Sequence, residues 1–211
     1  MRGAFITFEG VEGCGKTTQL RLLEEHLRKQ GHRLVVTREP GGPPIAEAIR
    51  EILLNPAHTA MGNMTELLLY TAARAQHVYE VIWPALELGQ TVLCDRFADS
   101  TAAYQGAGRG IPVETLGRLH QMACGGLQPD LTILLDLSPE EGLTRARGRG
   151  RADRLEQESV QFHHRVREGF LELAHQAPDR IVLLAGSAPI EHLAAQIRKR
   201  VEALLPPPDS D

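Results

Sequence analysis

The sequence predicts a doubly wound α/β fold: a mostly parallel sheet with helices on both faces and its working edge at the carboxyl ends of the strands. Two observations carry this. Five short apolar runs lie along the 211-residue chain, and helical patterns separate all of them. The first run passes at once into a glycine-rich turn and then into Leu20, Leu23 and Leu27 at helical spacing, so the chain opens strand, glycine loop, helix.

The elements follow in order. Residues 4–8 (AFITF) form the first strand, and the helix that starts at Lys16 stops at Gly31. Residues 33–37 (RLVVT) read as the second strand, and REPGGPP is a loop because of its prolines and glycines. A helix is expected over residues 45–54. Asn63 with Glu66 three positions on resembles a capping box opening a long helix to about residue 88, which Gly89 ends. Residues 91–94 (TVLC) and 131–137 (LTILLDL) are apolar without alternation, as in strands covered on both faces, and residues 180–184 supply the fifth. One domain is expected over residues 1–205, with a frayed end at 206–211, where proline is the only apolar residue type.

Composition narrows the class. With 42% hydrophobic and 24% charged residues the chain can bury a full core, and with five Phe, three Tyr and one Trp that core must be mostly aliphatic. No apolar window approaches the roughly 18 residues that span a bilayer. The opening MRGAFITFEG lacks the apolar run of a signal peptide, so a cytoplasmic protein with no membrane partner is expected. Cys14, Cys94 and Cys124 form no CxxC pair and are read as reduced and buried. The net charge of −4 gives no global attraction to nucleic acid, and none is expected as a partner. One basic stretch stands out: Arg145, Arg147, Arg149, Arg151 and Arg154 lie within ten residues, interspersed with Gly148 and Gly150.

The chemistry starts at Gly10, Val11, Glu12, Gly13, Cys14, Gly15, Lys16 and Thr17. This run satisfies GxxxxGK[ST], the P-loop whose backbone N–H groups surround polyphosphate oxygens at a helix N-terminus, with Thr18 continuing the turn. Lys16 then bridges the β- and γ-phosphates, and the Thr17 hydroxyl ligates Mg²⁺. The cofactors implied are ATP and Mg²⁺, since the guanine-selective NKxD signature is absent. Asp95 and Asp136 are the candidate metal-side carboxylates at strand ends. Asp95 is preferred because Arg96 follows it, and an adjacent cation can hold a second phosphate group. Glu9, at the end of the first strand, would be repelled by bound phosphates without a cation between, which fits a Mg²⁺-organising role.

GVEGCGKTT, TREPGG, AARAQ, DRFADSTAAYQGAGRG and RARGRGRADRLEQES, in this order, resemble the bacterial thymidylate kinase family over most of the chain. The resemblance implies transfer of the ATP γ-phosphoryl group to thymidine 5′-monophosphate, a P-loop NTPase fold with a five-stranded parallel sheet, a mobile lid, and a homodimer formed through helices beside the sheet. Tyr70 and Arg74, four apart on the long helix, would stack on thymine and bond its O4. Tyr70 stands where the family usually has Phe. Tyr104 and Gln105 resemble the sugar-and-base wall that leaves no room for a ribose hydroxyl, and Thr101 the polar residue near the base. Glu12 resembles the acidic residue that binds the acceptor's 3′-hydroxyl. Arg38 and Arg96 resemble the clamp on the acceptor phosphate, with Pro40 at the family's cis bond.

The arginine stretch, about residues 142–156, then reads as the lid. Some members carry a transition-state arginine in the phosphate loop after the acidic residue. Gly13 stands there in this chain, so the lid must supply the cation, with Arg149 chosen and Arg147 and Arg151 as alternatives. Arg145 would stack on adenine, which residues 185–189 (AGSAP) would border. The rival readings are a P-loop kinase acting on another nucleoside monophosphate or a deoxynucleoside, and a non-catalytic P-loop nucleotide sensor or nucleic-acid-binding module that uses the arginine stretch.

Overall fold

The computed structural model describes residues 2–148 and 152–205. Arg149 and Arg151, expected to lie in the lid, and the tail at 206–211 lie outside the described residues. One sheet of five parallel strands is built from β1 (Phe5–Glu9), β2 (Leu34–Arg38), β3 (Thr91–Asp95), β4 (Leu131–Asp136) and β5 (Ile181–Ala185), in the order β2-β3-β1-β4-β5. Each expected strand is present, with one or both ends moved by one residue. The shift has a consequence for the site: Glu9, Arg38, Asp95 and Asp136 are each the last residue of a strand, so four charged side chains stand along the carboxyl edge.

The helices are α1 (Lys16–Lys29), α2 (Pro44–Leu54), α3 (Asn63–His77), α4 (Trp83–Glu87), α5 (Ala98–Thr101), α6 (Val113–Cys124), α7 (Pro139–Arg147), α8 (Val160–Gln176) and α9 (Ile190–Glu202). The long helix expected over 63–88 is continuous but not uniform. A π-helical stretch, Val78–Ile82, links α3 to α4 just before Pro84, which has no N–H to return to the preceding turn. A second π-helical stretch, Ala102–Gly108, extends α5. The expected capping box is corrected. Gly62 is the N-cap of α3 and no side chain caps it, because Glu66 is turned into the protein, where it takes hydrogen bonds from Gln105 and Arg109.

Aliphatic packing holds the layers together. Ile6, Phe8, Ile133 and Leu135 pack with residues of α1, α8 and α9, while Phe5, Val92 and Phe97 pack with Val78, Ile82 and Leu86. The three cysteines are free and buried, as expected. No described helix is long and apolar enough to cross a membrane.

Candidate active site

The phosphate loop connects β1 to α1, and its turns require glycine. Gly10, Gly13 and Gly15 have φ of 133°, 68° and 100°. At Gly13 the requirement is doubled, since a Cβ there would lie 2.1 Å from the carbonyl oxygen of Gly142 in α7. Lys16 is buried, and its Nζ donates to the carbonyls of Gly10 (3.1 Å) and Val11 (2.9 Å). The Thr17 hydroxyl donates to Asp95 Oδ2 at 2.9 Å. A hydroxyl and a carboxylate therefore meet where β3 ends beside the first turn of α1. Asp136, the other strand-end candidate, is engaged elsewhere: Arg167 of α8 clamps both its oxygens, at 2.7 and 2.8 Å.

Behind the loop lies a polar cluster. Arg96, whose φ is 72°, donates to the Gly10 carbonyl, Ser100, Glu12 and the Tyr104 hydroxyl, with its guanidinium 5.1 Å above the Tyr104 ring. The Tyr104 hydroxyl also donates to Glu12 Oε1. Burial pushes the Glu12 carboxyl up, but His163, the charges of Arg96 and Lys16, and Tyr104 outweigh it and hold the group below the usual carboxylate range. Glu9 is fully buried in the floor, and its two oxygens accept from the Phe97 N–H (2.7 Å) and the Ser100 hydroxyl (2.5 Å). Burial and the nearby Asp99 charge push it up to about 7 against the pull of Arg96. Glu9 thus orients the turn that carries Arg96 rather than lining the cleft.

The other half of the cleft is arranged around Glu39, the residue after β2. Its carboxylate accepts from Arg74 Nε at 2.8 Å and lies 2.9 Å from His77 Nδ1, all three side chains being buried. Burial raises this carboxyl, but Arg74 and His77 together hold it low. Arg74 also donates to the Phe97 carbonyl and to Thr101 Oγ1 (2.8 Å), so Tyr70 and Arg74, one helical turn apart, both reach the cleft as the spacing predicts. Gln105 is fixed by its donation to Glu66. Arg38 stands at the rim, paired with Glu47, and the Glu39–Pro40 bond is cis.

One cavity runs from Lys16 and Thr17 past Asp95 and Arg96 to Tyr70, Arg74 and Gln105, with Glu12, Arg38, Glu39, Thr101 and Tyr104 also in its lining, while Glu9, His77 and Asp136 lie outside it. Four residues of the site escaped the sequence reading. Arg50 of α2 lines the cavity and donates to the Pro40 carbonyl at 2.6 Å. Glu39, Ser100 and His77 buttress the arginines. Glu39 and His77 lie inside TREPGG and directly after AARAQ, so the motif positions were the available signal. In the arginine stretch, Arg145 pairs with Glu141 and donates to the Gly186 carbonyl (3.3 Å), beside the loop after β5, and Arg147 is exposed. Arg154, at the far end of that stretch, pairs with Glu66 and donates to the Leu53 carbonyl.

Comparison with known proteins gives one consistent picture. A family model described as thymidylate kinase matches residues 8–197. Thymidylate kinase of Geotalea uraniireducens is 53% identical over 209 residues, covering 96% of this chain and 98% of the relative. That of Deinococcus radiodurans is 55% identical over 196 residues, covering 93% and 95%. Among solved structures, the crystal structure of thymidylate kinase from Ehrlichia chaffeensis superimposes with a TM-score of 0.79 at 32% identity, covering 95% of this chain and all of that one.

Proposed function

The chain belongs to the thymidylate kinase family, and from that premise we infer the chemistry of its cleft: it transfers the γ-phosphoryl group of ATP to dTMP, giving dTDP and ADP. The observation that carries the reading is that a phosphate loop and a second, arginine-lined pocket are walls of a single cavity, as direct transfer between two bound nucleotides requires.

The roles proposed for the residues follow. The N–H groups from Gly10 to Thr18 and the Lys16 ammonium hold the donor phosphates. Thr17 and Asp95 fit a magnesium ion: they are hard oxygen donors already 2.9 Å apart, and such an ion takes its other ligands from phosphate and water. Among the described residues no three His, Cys, Asp or Glu side chains cluster as a dedicated metal cage, in keeping with this mode of binding. Bound there, the ion would neutralise charge on the phosphate oxygens. Arg38 and Arg96 receive the acceptor phosphate, with Arg50 beside them. Arg74, held by Glu39, reads the base edge near Thr101, Tyr70 stacks on it, and Tyr104 and Gln105 wall the sugar and base. Glu12 accepts from the 3′-hydroxyl.

No general base is needed, since a monophosphate with a second pKa near 6 is largely dianionic at pH 7. Catalysis is then positioning and electrostatics, completed when the lid around residues 142–156 brings an arginine, assigned to Arg149, to the transferring group. Arg145, next to Gly186, is assigned to the adenine side of the donor. Met64, Leu68, Tyr79 and Trp83 form an exposed apolar stripe along α3 and its extension, which supports a homodimer through this face. A sedimentation experiment returning a monomer at micromolar concentration would remove that assignment. A cytoplasmic location accords with a supply of dTMP and ATP.

ADP release by purified protein with MgATP and each of dTMP, dUMP, UMP, CMP, GMP and AMP tests the whole reading. Strong turnover with dTMP, weak with dUMP and negligible with the others is expected. Preference for another monophosphate would overturn the assignments on the acceptor side, and no acceptor-dependent turnover would overturn the kinase.

A further inference from the structure

Five buried side-chain polar atoms among the described residues have no hydrogen-bond partner, and three of them belong to two facing side chains: Glu12 Oε2 and the two ring nitrogens of His163. Buried polar groups are paired in native proteins, so a coincidence of orphans on the phosphate loop needs an explanation. His163 sits on α8, is 1% exposed, and packs beside the Phe162 ring, with Nδ1 3.5 Å from Glu12 Oε2. That separation is within ion-pair range but longer than a hydrogen bond. The other Glu12 oxygen, Oε1, accepts from Tyr104 and Arg96 and is the one on the cleft side of that contact pair.

We propose that His163 is a positioning residue for the acceptor: its Nδ1–H donates to Glu12 Oε2, fixing the carboxylate so that it presents an acceptor to the 3′-hydroxyl. The inference rests on the assignment of Glu12 to that hydroxyl. The chemistry leaves little choice of role. An ionised carboxylate only accepts, so the group facing Oε2 must donate, and His163 Nδ1 is the side-chain nitrogen that faces it. The neutral Nδ1–H tautomer supplies that donor and leaves a single lone pair, on Nε2, without a partner. Asparagine offers an amide nitrogen close to the place of Nδ1, whereas leucine offers similar bulk without a donor.

Steady-state kinetics with MgATP on the wild type, His163→Asn and His163→Leu, using dTMP and its 3′-deoxy analogue as acceptors, tests this, with thermal melting as the check on folding. Wild-type turnover of dTMP is read first, and its absence would overturn the phosphotransfer reading itself. Given that turnover, His163→Leu should lower kcat/KM for dTMP about tenfold, mainly through KM, and that for the 3′-deoxy analogue by less than about twofold. His163→Asn should stay within about threefold of the wild type with dTMP. Equal losses on both acceptors would make His163 a packing residue and overturn the proposal. So would Asn behaving as badly as Leu, or no loss in either variant.

Discussion

Tyr104 shows how much one side chain carries in this cleft. Its hydroxyl donates to Glu12 and accepts from Arg96, and its ring lies under the Arg96 guanidinium with edge contacts to Phe162 and Phe170. A ring fixed on so many sides is a rigid wall, and rigidity is what excluding a ribose hydroxyl demands. Tyr104→Ala should therefore raise the rate ratio of UMP to dUMP, while Tyr104→Phe, which keeps the ring, should leave the ratio near that of the wild type. If the alanine variant did not raise it, the sugar wall lies elsewhere. A second test at this scale concerns Arg149. A cation that engages only as charge develops on the transferring group affects kcat rather than ground-state binding. Arg149→Ala should lower kcat at least about tenfold with nucleotide affinities little changed, and an unchanged kcat would move the role to Arg147 or Arg151. The phosphate loop was legible because its chemistry is local: eight consecutive residues must supply glycines, N–H groups, an ammonium and a hydroxyl. Glu39, Ser100 and Arg50 were not, because a carboxylate that holds an arginine from 35 positions away, as Glu39 holds Arg74, leaves no periodic trace.

At the scale of elements, α7 touches the phosphate loop backbone to backbone. Gly142 lies within α7, where alanine would ordinarily favour the helix by about 1 kcal/mol. Here a Cβ at Gly142 would lie 2.3 Å from the Glu12 carbonyl oxygen, and one at Gly13 would lie 2.1 Å from the Gly142 carbonyl oxygen, so the two backbones touch with no room for a side chain. Gly142→Ala should push α7 off the loop, lowering the melting temperature despite the gain in helix propensity and raising KM for ATP. A variant that melted higher with unchanged KM would show that the contact is dispensable. The elements themselves were readable to different degrees. The strands announced themselves as uninterrupted aliphatic runs because both faces are covered by helices. The start of α3 misled because Asn63 and Glu66 have capping-box spacing, while the Glu66 side chain gains more from Gln105, Arg109 and Arg154 in the interior than from a backbone N–H at a helix end. The π-helical stretches were invisible, since hydrogen bonds that span one more residue than in an α-helix change the hydrophobic period too little to register over five or seven residues.

For the whole molecule, the buried carboxylates divide into two groups that pull its pH stability in opposite directions. Glu12, Glu39 and Glu66 are held below their ordinary range by arginines and hydrogen-bond donors that outweigh burial. Their folded values lie below the unfolded ones, so the stability they contribute is present above the unfolded value and is lost as pH falls through the folded ones. Glu9 is the reverse. Burial and Asp99 raise it from 4.5 to about 7, so its contribution is full below 4.5 and is lost as pH rises through 7. The two effects place the maximum of stability on the acid side of neutrality. Without nucleotide or magnesium, the melting temperature should rise as pH is lowered from about 8 to about 5.5 and fall again below about 4.5. Glu9→Gln, a permanently neutral mimic that still offers a carbonyl to the Phe97 N–H, isolates the upper limb: its melting temperature should be nearly flat between those first two values while the acid limb stays as in the wild type. The same slope in both proteins above pH 5.5 would mean that Glu9 is ionised throughout, and the turn bearing Arg96 would then be held by a charged carboxylate rather than by one that sheds its proton near neutrality.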